Sequence, residues 1–152
     1  MRTMLLSFKP EIYDKIASGE KVLEYRYTFP NEPIKAYAYI SRPVKAIGGI
    51  IYLDNRIELK ALKDRCKKGS DVEIRLVKHM DANKYVMQIK AFQETNRIPL
   101  SELKNFDDRF VIPQMYYFLD ELPLLNYIEE KLIAEGEILQ NKFEKESILS
   151  LM

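Results

Sequence analysis

Residues 4–26 run MLLSFKPEIYDKIASGEKVLEYR, and the order of their apolar, proline and glycine positions decides how the fold is read. Thr3–Phe8 is a short apolar run that reads as a strand. Pro10 follows almost at once, and a proline fits the first turn of a helix, where its missing N–H has no partner to lose. Ile12, Tyr13, Ile16 and Ala17 then share one helical face, and Ser18-Gly19 supplies a stop that tolerates a positive φ. Lys21–Tyr27 returns to a strand. Its alternation sets Val22, Glu24 and Arg26 on one face and Leu23 and Tyr25 on the other. One of those faces must be buried, so a charge on it needs a partner.

The same logic extends outward along the chain. Thr28–Pro33, with Pro30, Asn31 and Pro33, is a loop. Ile34–Ile40 alternates, with Ile34, Ala36, Ala38 and Ile40 on one side and Lys35, Tyr37 and Tyr39 on the other. Ser41-Arg42-Pro43 is a turn, and Val44–Leu53 is an apolar strand whose Gly48-Gly49 pair marks a bulge or a close backbone approach. Leu59, Leu62 and Cys66 fall on a short helix that ends before Gly69. Asp71–Met80 and Lys84–Phe92 are predicted as two strands joined in a hairpin by Asp81-Ala82-Asn83. Ile98–Leu103 opens a new segment, and a last strand is expected at Met115–Leu119.

From Asp120 onward the spacing turns helical, through Leu125, Ile128, Leu132, Leu139 and Phe143, with Gly136 as an interruption. The expected class is α+β: about five or six strands in a small, curled, mostly antiparallel sheet or barrel with flanking helices. That domain spans residues 1–119, and 120–152 form a helical C-terminal appendage. The appendage is expected to break near Gly136, with its first half on the barrel. Residues 137–152 are left to fold back or to join a second copy as a homodimer, and their deletion is expected to leave a folded monomeric barrel.

A chain of 152 residues, 47% of them hydrophobic, has the size and composition of one globular domain. One cysteine and one histidine exclude an internal disulfide and a Cys/His zinc site. No cofactor is expected. No apolar run approaches about 18 residues, so no membrane span or membrane partner is expected. The first residues are charged by Lys9 and lack a signal-peptide core. A soluble, reducing, cytoplasmic protein is the expectation. The net charge of +1 conceals a division. Residues 1–104 carry 20 basic and 13 acidic residues, whereas 105–152 carry 4 and 10. The chain can present a basic patch but not a basic surface throughout.

Leu6-Ser7-Phe8-Lys9-Pro10, followed by Tyr13, Ile16, Gly19, Lys21, Glu24 and Arg26, resembles the opening of ASCH domains, which belong to the PUA-like group. Tyr39–Lys45, Ile98–Leu103 and Pro113–Leu119 are similar to the usual continuation of that family. The resemblance covers residues 4–119, is loose between 54 and 95, and does not extend to 120–152. It implies a β-barrel with flanking helices and a cleft in which PUA-like relatives bind RNA or modified bases. One branch of small ASCH proteins hydrolyses acetylated cytidine nucleosides.

Lys9 stands where a strand meets a helix start, which favours an anion. Glu24 is suited to accept hydrogen bonds from a base or amide edge, with Lys21 and Arg26 holding phosphate or carbonyl oxygen. Taken simply as charges, Glu24 and Arg26 would be rim ions or ties across the barrel. Tyr37, Tyr39, Tyr116, Tyr117 and Phe118 offer aromatic surface for stacking or serve as core. Gln114, after Pro113, either reads an edge or caps a loop. His79 is expected to be exposed on a strand and Cys66 to be a core residue.

In the hydrolase branch the catalytic set is a Lys, a Thr three residues later and a Glu on a later strand. Lys21 matches the first, but Glu24 stands where the Thr belongs, and a carboxylate is no substitute for that hydroxyl. Glu73 is the only acid inside the expected later strand, past its first residue, Asp71. The leading expectation is therefore a non-catalytic module that binds RNA or a nucleobase-like small molecule. Its cleft is lined by Lys9, Lys21, Glu24, Arg26, Ser41, Gln114 and Tyr116. The alternatives are the amidohydrolase and a protein-interaction module acting through the acidic helical tail.

Overall fold

In the computed structural model, which describes residues 1–144 and 148–152, the opening stretch forms the three elements its pattern predicts. Strand β1 covers Arg2–Phe8, helix α1 Pro10–Ala17 and strand β2 Leu23–Arg26. Pro10 occupies the first helical turn, Tyr13 and Ile16 form the buried face, and Gly19 ends the helix at φ 82°.

The remaining strands are β3 (Ile34–Ile40), β4 (Ala46–Leu53), β5 (Ile57–Glu58), β6 (Tyr85–Gln93), β7 (Ile98–Pro99), β8 (Tyr116–Phe118) and β9 (Leu139–Gln140). The sheet runs β2-β6-β4-β3-β1-β8, with β5 and β9 also on β6 and β7 on β4. Only the β1–β3 pairing is parallel among the described residues. β2 and β1 are far apart in this order, yet Arg26 Nη2 donates to the Ser7 carbonyl at 2.9 Å. The sheet is therefore curled into a half-barrel, and Arg26 bridges its open seam.

Both faces of β3 are buried, which explains its composition. Ile34, Ala36, Ala38 and Ile40 enter the barrel core with Met4, Leu6, Met87 and Ile89. Tyr37 and Tyr39 enter a second core with Leu5, Ile47, Leu103 and Ile128. That core lies under helices α4 (Leu100–Phe106) and α5 (Pro123–Lys131). Tyr37 and Tyr39 are thus only 2% and 1% exposed, and neither offers a surface for stacking. The Gly48-Gly49 pair sits at a bulge in the β3–β4 pairing. Gly49 has φ 84°, and a Cβ there would collide with the Tyr13 ring, while one on Gly48 would meet the Arg97 side chain. The close approach lets Tyr13 Oη donate to Glu94 Oε1 at 2.7 Å, where Arg97 Nη1 also donates at 2.7 Å.

Two expectations are corrected. Asp71–Met80 is helix α3, not a strand, and Asp81-Ala82-Asn83 joins a helix to β6 rather than closing a hairpin. Ser70 caps the helix by accepting from the Glu73 N–H, and the Glu73 carboxylate accepts from the Gly69 N–H. Leu76 and Met80 face inward, while Ile74 is 52% exposed. α3 packs with α2 (Leu59–Asp64) over a third core.

The tail is the other correction. Helix α5 ends at Lys131, ahead of Gly136, and the chain turns extended. Asn96 exchanges backbone and side-chain bonds with Lys131 and Ile133, and β9 pairs with Ala91 and Phe92 of β6. A 3-10 turn at Ile148–Leu151 buries Ile148 in the third core, and Arg75 Nε donates to the Met152 carbonyl at 2.6 Å. Residues 137–144 and 148–152 thus pack on their own chain. The part of the tail at 145–147 lies outside the described residues.

Candidate functional site

At the barrel seam lies a cleft of about 930 Å³. The end of β1 and the start of α1 supply Ser7, Phe8 and Lys9; β2 supplies Glu24, Tyr25 and Arg26. The α3–β6 connection adds Ala82 and Asn83, and the segment before β8 adds Ile112–Met115. These pieces are pinned to each other. Ser7 Oγ donates to the Pro113 carbonyl at 2.6 Å, the Ser7 N–H to the Met115 carbonyl and the Lys84 N–H to the Arg26 carbonyl.

Glu24 is the charged centre. It is 6% exposed, with Arg26 Nε 3.7 Å and Lys21 Nζ 4.0 Å from Oε1. Those distances are electrostatic contacts, longer than hydrogen bonds. Glu24 Oε2 and Arg26 Nε are both buried and have no hydrogen-bond partner in the protein. A buried acceptor and a buried donor therefore stand side by side at the cleft. Burial lowers the Lys21 ammonium below its ordinary value; Glu24 opposes the shift, and Arg26 and Lys15 add to it. The walls are aromatic. Tyr25 stacks on His79 with centroids 3.7 Å apart, and burial raises the Tyr25 phenol. The Arg26 guanidinium lies 5.3 Å over the Phe8 ring.

No protein-family model and no curated protein matches this sequence. Solved structures do match. The crystal structure of ASCH from Zymomonas mobilis superposes with a TM-score of 0.62 at 20% identity, covering 89% of this chain and 97% of that one. A serine-to-alanine mutant of the same bacterial protein gives a TM-score of 0.63 at 21% identity over 88% of this chain and 97% of that one. The chain has the ASCH fold. A tyrosine-to-phenylalanine mutant gives the same TM-score at 20% identity, covering 89% of this chain and all of the mutant. The α+β architecture expected from the sequence, a curled, mostly antiparallel sheet with flanking helices, matches these ASCH structures.

Within this ASCH fold, six of the seven residues singled out from the sequence line one cleft: Lys9, Lys21, Glu24, Arg26, Ser41 and Gln114. Tyr116 does not. Its register opposite Leu6 turns the ring toward the barrel core, 5.7 Å from Phe29 and 5.9 Å from Phe118. Tyr25, Tyr27 and Asn83 line the cleft and were missed. The alternation of β2 separates Tyr25 from Glu24, and only the curl of the sheet returns both to one cavity. His79 lies on α3, and burial together with Lys21 lowers its imidazole. Among the described residues no group of three His, Cys, Asp or Glu side chains is placed to hold a metal, and no helix is long and apolar enough to cross a membrane.

Proposed function

We propose that this protein is a non-catalytic recognition module that binds RNA or a nucleobase-like ligand in the Glu24 cleft. One observation carries this reading: the buried, unpartnered Glu24 Oε2 beside the buried, unpartnered Arg26 Nε. Native proteins satisfy nearly all buried polar groups, so such a pair favours a ligand with a complementary donor and acceptor. The edge of a nucleobase has that form, and its faces suit Tyr25 and Phe8. Lys9 and Lys21 supply charge for a phosphate.

The test is calorimetric titration with the four nucleosides and a short single-stranded RNA, on the wild type and on Glu24→Gln. Binding that weakens at least about tenfold in the variant is expected, since a buried charged hydrogen bond is worth ~1.5–3 kcal/mol. Absence of binding to every probe, or equal binding by both proteins, would refute the reading.

The depressed Lys21 ammonium favours one other reading, because a desolvated lysine suits amide chemistry. An amidohydrolase of acetylated cytidine nonetheless lacks its parts. Glu24 stands where the nucleophilic hydroxyl belongs, and Glu73 serves the start of α3. No release of acetate from acetylated cytidine is expected, and turnover at ~1 per second or faster would make the protein an enzyme.

A further inference from the structure

Glu24 Oε2 and Arg26 Nε together answer one base edge, with one acceptor and one donor. The cleft is larger than that edge needs. Its volume of about 930 Å³ stands near the top of the ~300–1,000 Å³ range of pockets that take one drug-sized ligand. Its mouth is apolar: Tyr27, Met115 and Ile112 line it and remain 67%, 52% and 41% exposed. Tyr27 sits in a bend one residue past the end of β2. Among the described residues its side chain has no ring contact and no hydrogen bond. The Tyr25 ring, by contrast, is already covered on one face by His79. A large aromatic ring left in water at the edge of a ligand cleft has the form of a stacking platform for a base.

Charge is scarce in the same place. Lys21 and Arg26 lean on Glu24, and Lys9 is in no ion pair among the described residues. Glu11 lines the cleft as well. One free cation beside one free carboxylate can meet a single phosphate but not a run of them, so a bound strand must draw on its bases. We propose, on the strength of the recognition reading above, that the cleft takes a single RNA strand of at least two nucleotides rather than a lone nucleoside. One base sits on Glu24 and Arg26, the next stacks on Tyr27, and Lys9 meets the phosphate between them. Glu24 is buried and Tyr27 exposed, so the two bases lie at different depths. They cannot stack on each other as in a helix. The strand is therefore splayed, and a duplex, whose bases are paired and stacked, is refused.

Calorimetric titration tests this with the four nucleosides, the dinucleoside monophosphates ApA, CpC, GpG and UpU, and one RNA decamer, single-stranded or annealed to its complement. For the base that binds best, the dinucleoside monophosphate should bind at least about tenfold more tightly than the nucleoside. That gain is ~1.4 kcal/mol, within the ~1–3 kcal/mol of one base stacked on an aromatic ring. Tyr27→Ala, at a side chain the core does not use, should cut that ratio at least about fivefold, and Tyr27→Phe should keep it. The single-stranded decamer should bind at least about tenfold better than its duplex. A gain below about threefold, a ratio unchanged in Tyr27→Ala, or equal binding of the duplex would each overturn the inference. Nucleoside binding that still weakens in Glu24→Gln would in that event leave the recognition reading standing. Failure of every probe to bind would overturn both.

Discussion

Replacing Glu24 by glutamine keeps its shape and removes the only negative charge between Lys21 and Arg26. At an effective dielectric of ~20, two unit charges 4 Å apart attract by ~4 kcal/mol. Lys21 at 4.0 Å and Arg26 at 3.7 Å each approach that gross figure. Most of it offsets the cost of drawing three charges out of water, but breaking one side of a buried pair still costs ~3–5 kcal/mol. Lys21 can relieve part of this by releasing its proton, so a loss of about 2–3 kcal/mol is expected. For a chain of this length that lowers Tm by about 5–10 °C.

The same variant carries a signature in pH. Glu24 is the one neighbour that raises the Lys21 ammonium against burial, so its removal should push Lys21 further below 10.5. A lysine with a depressed folded value binds fewer protons in the folded than in the unfolded state. Its penalty is therefore full below the folded value and shrinks as pH rises from there through the window up to 10.5. Circular dichroism melts at several pH values and a carbon-13 titration of the Lys21 side chain test both parts. An unchanged Tm together with an unchanged Lys21 titration would show that Glu24 does not hold the two cations.

Two further outcomes follow from the packing. Deleting residues 137–152 removes β9 and the buried Ile148, so urea denaturation should show a loss of about 2–5 kcal/mol, and an unchanged midpoint would show that the tail merely rests on the surface. Burial and Lys21 hold His79 below 6.5, so the folded protein takes up its proton less readily than the unfolded chain, and stability is lost as pH falls below 6.5. His79→Phe keeps a ring against Tyr25 and should lack this loss; a stability difference from wild type that is flat between pH ~7.5 and ~5 refutes the role.

The opening of the chain was legible because its signals are local. Pro10 and Gly19 act on their own turns, whatever the rest of the chain does. The Gly48-Gly49 approach was readable for the same reason, although Tyr13 as its cause was not. Residues 71–80 were misread because Val72, Ile74 and Leu76 alternate like a strand while Val72, Leu76 and Met80 repeat like a helix. Ser70 and Glu73 form a capping pair that could have settled the choice. Glu24 and its two cations lie within six residues and were visible in sequence. The alternation of β8 could say only that Tyr116 and Phe118 share a face, and which face turns inward depends on strand neighbours more than 100 residues away. β9 had no signal of its own, since two residues become a strand only beside the free edge that β6 offers.

The stitching of the tail to β6 also bears on the order in which the protein can be made. A chain synthesised from its N-terminus has β1, β3, β4 and β6 in hand well before its last segment exists. β1 must wait for Tyr116–Phe118 to gain its second neighbour, and Ala91 and Phe92 must wait for Leu139 and Gln140. Until then two lengths of backbone stay open, and the third core lacks Ile148. Exposed strand edges of this kind invite pairing with other chains. The nascent protein is thus most vulnerable to mispairing before Leu139 and Gln140 emerge, and their pairing is what covers this length of β6.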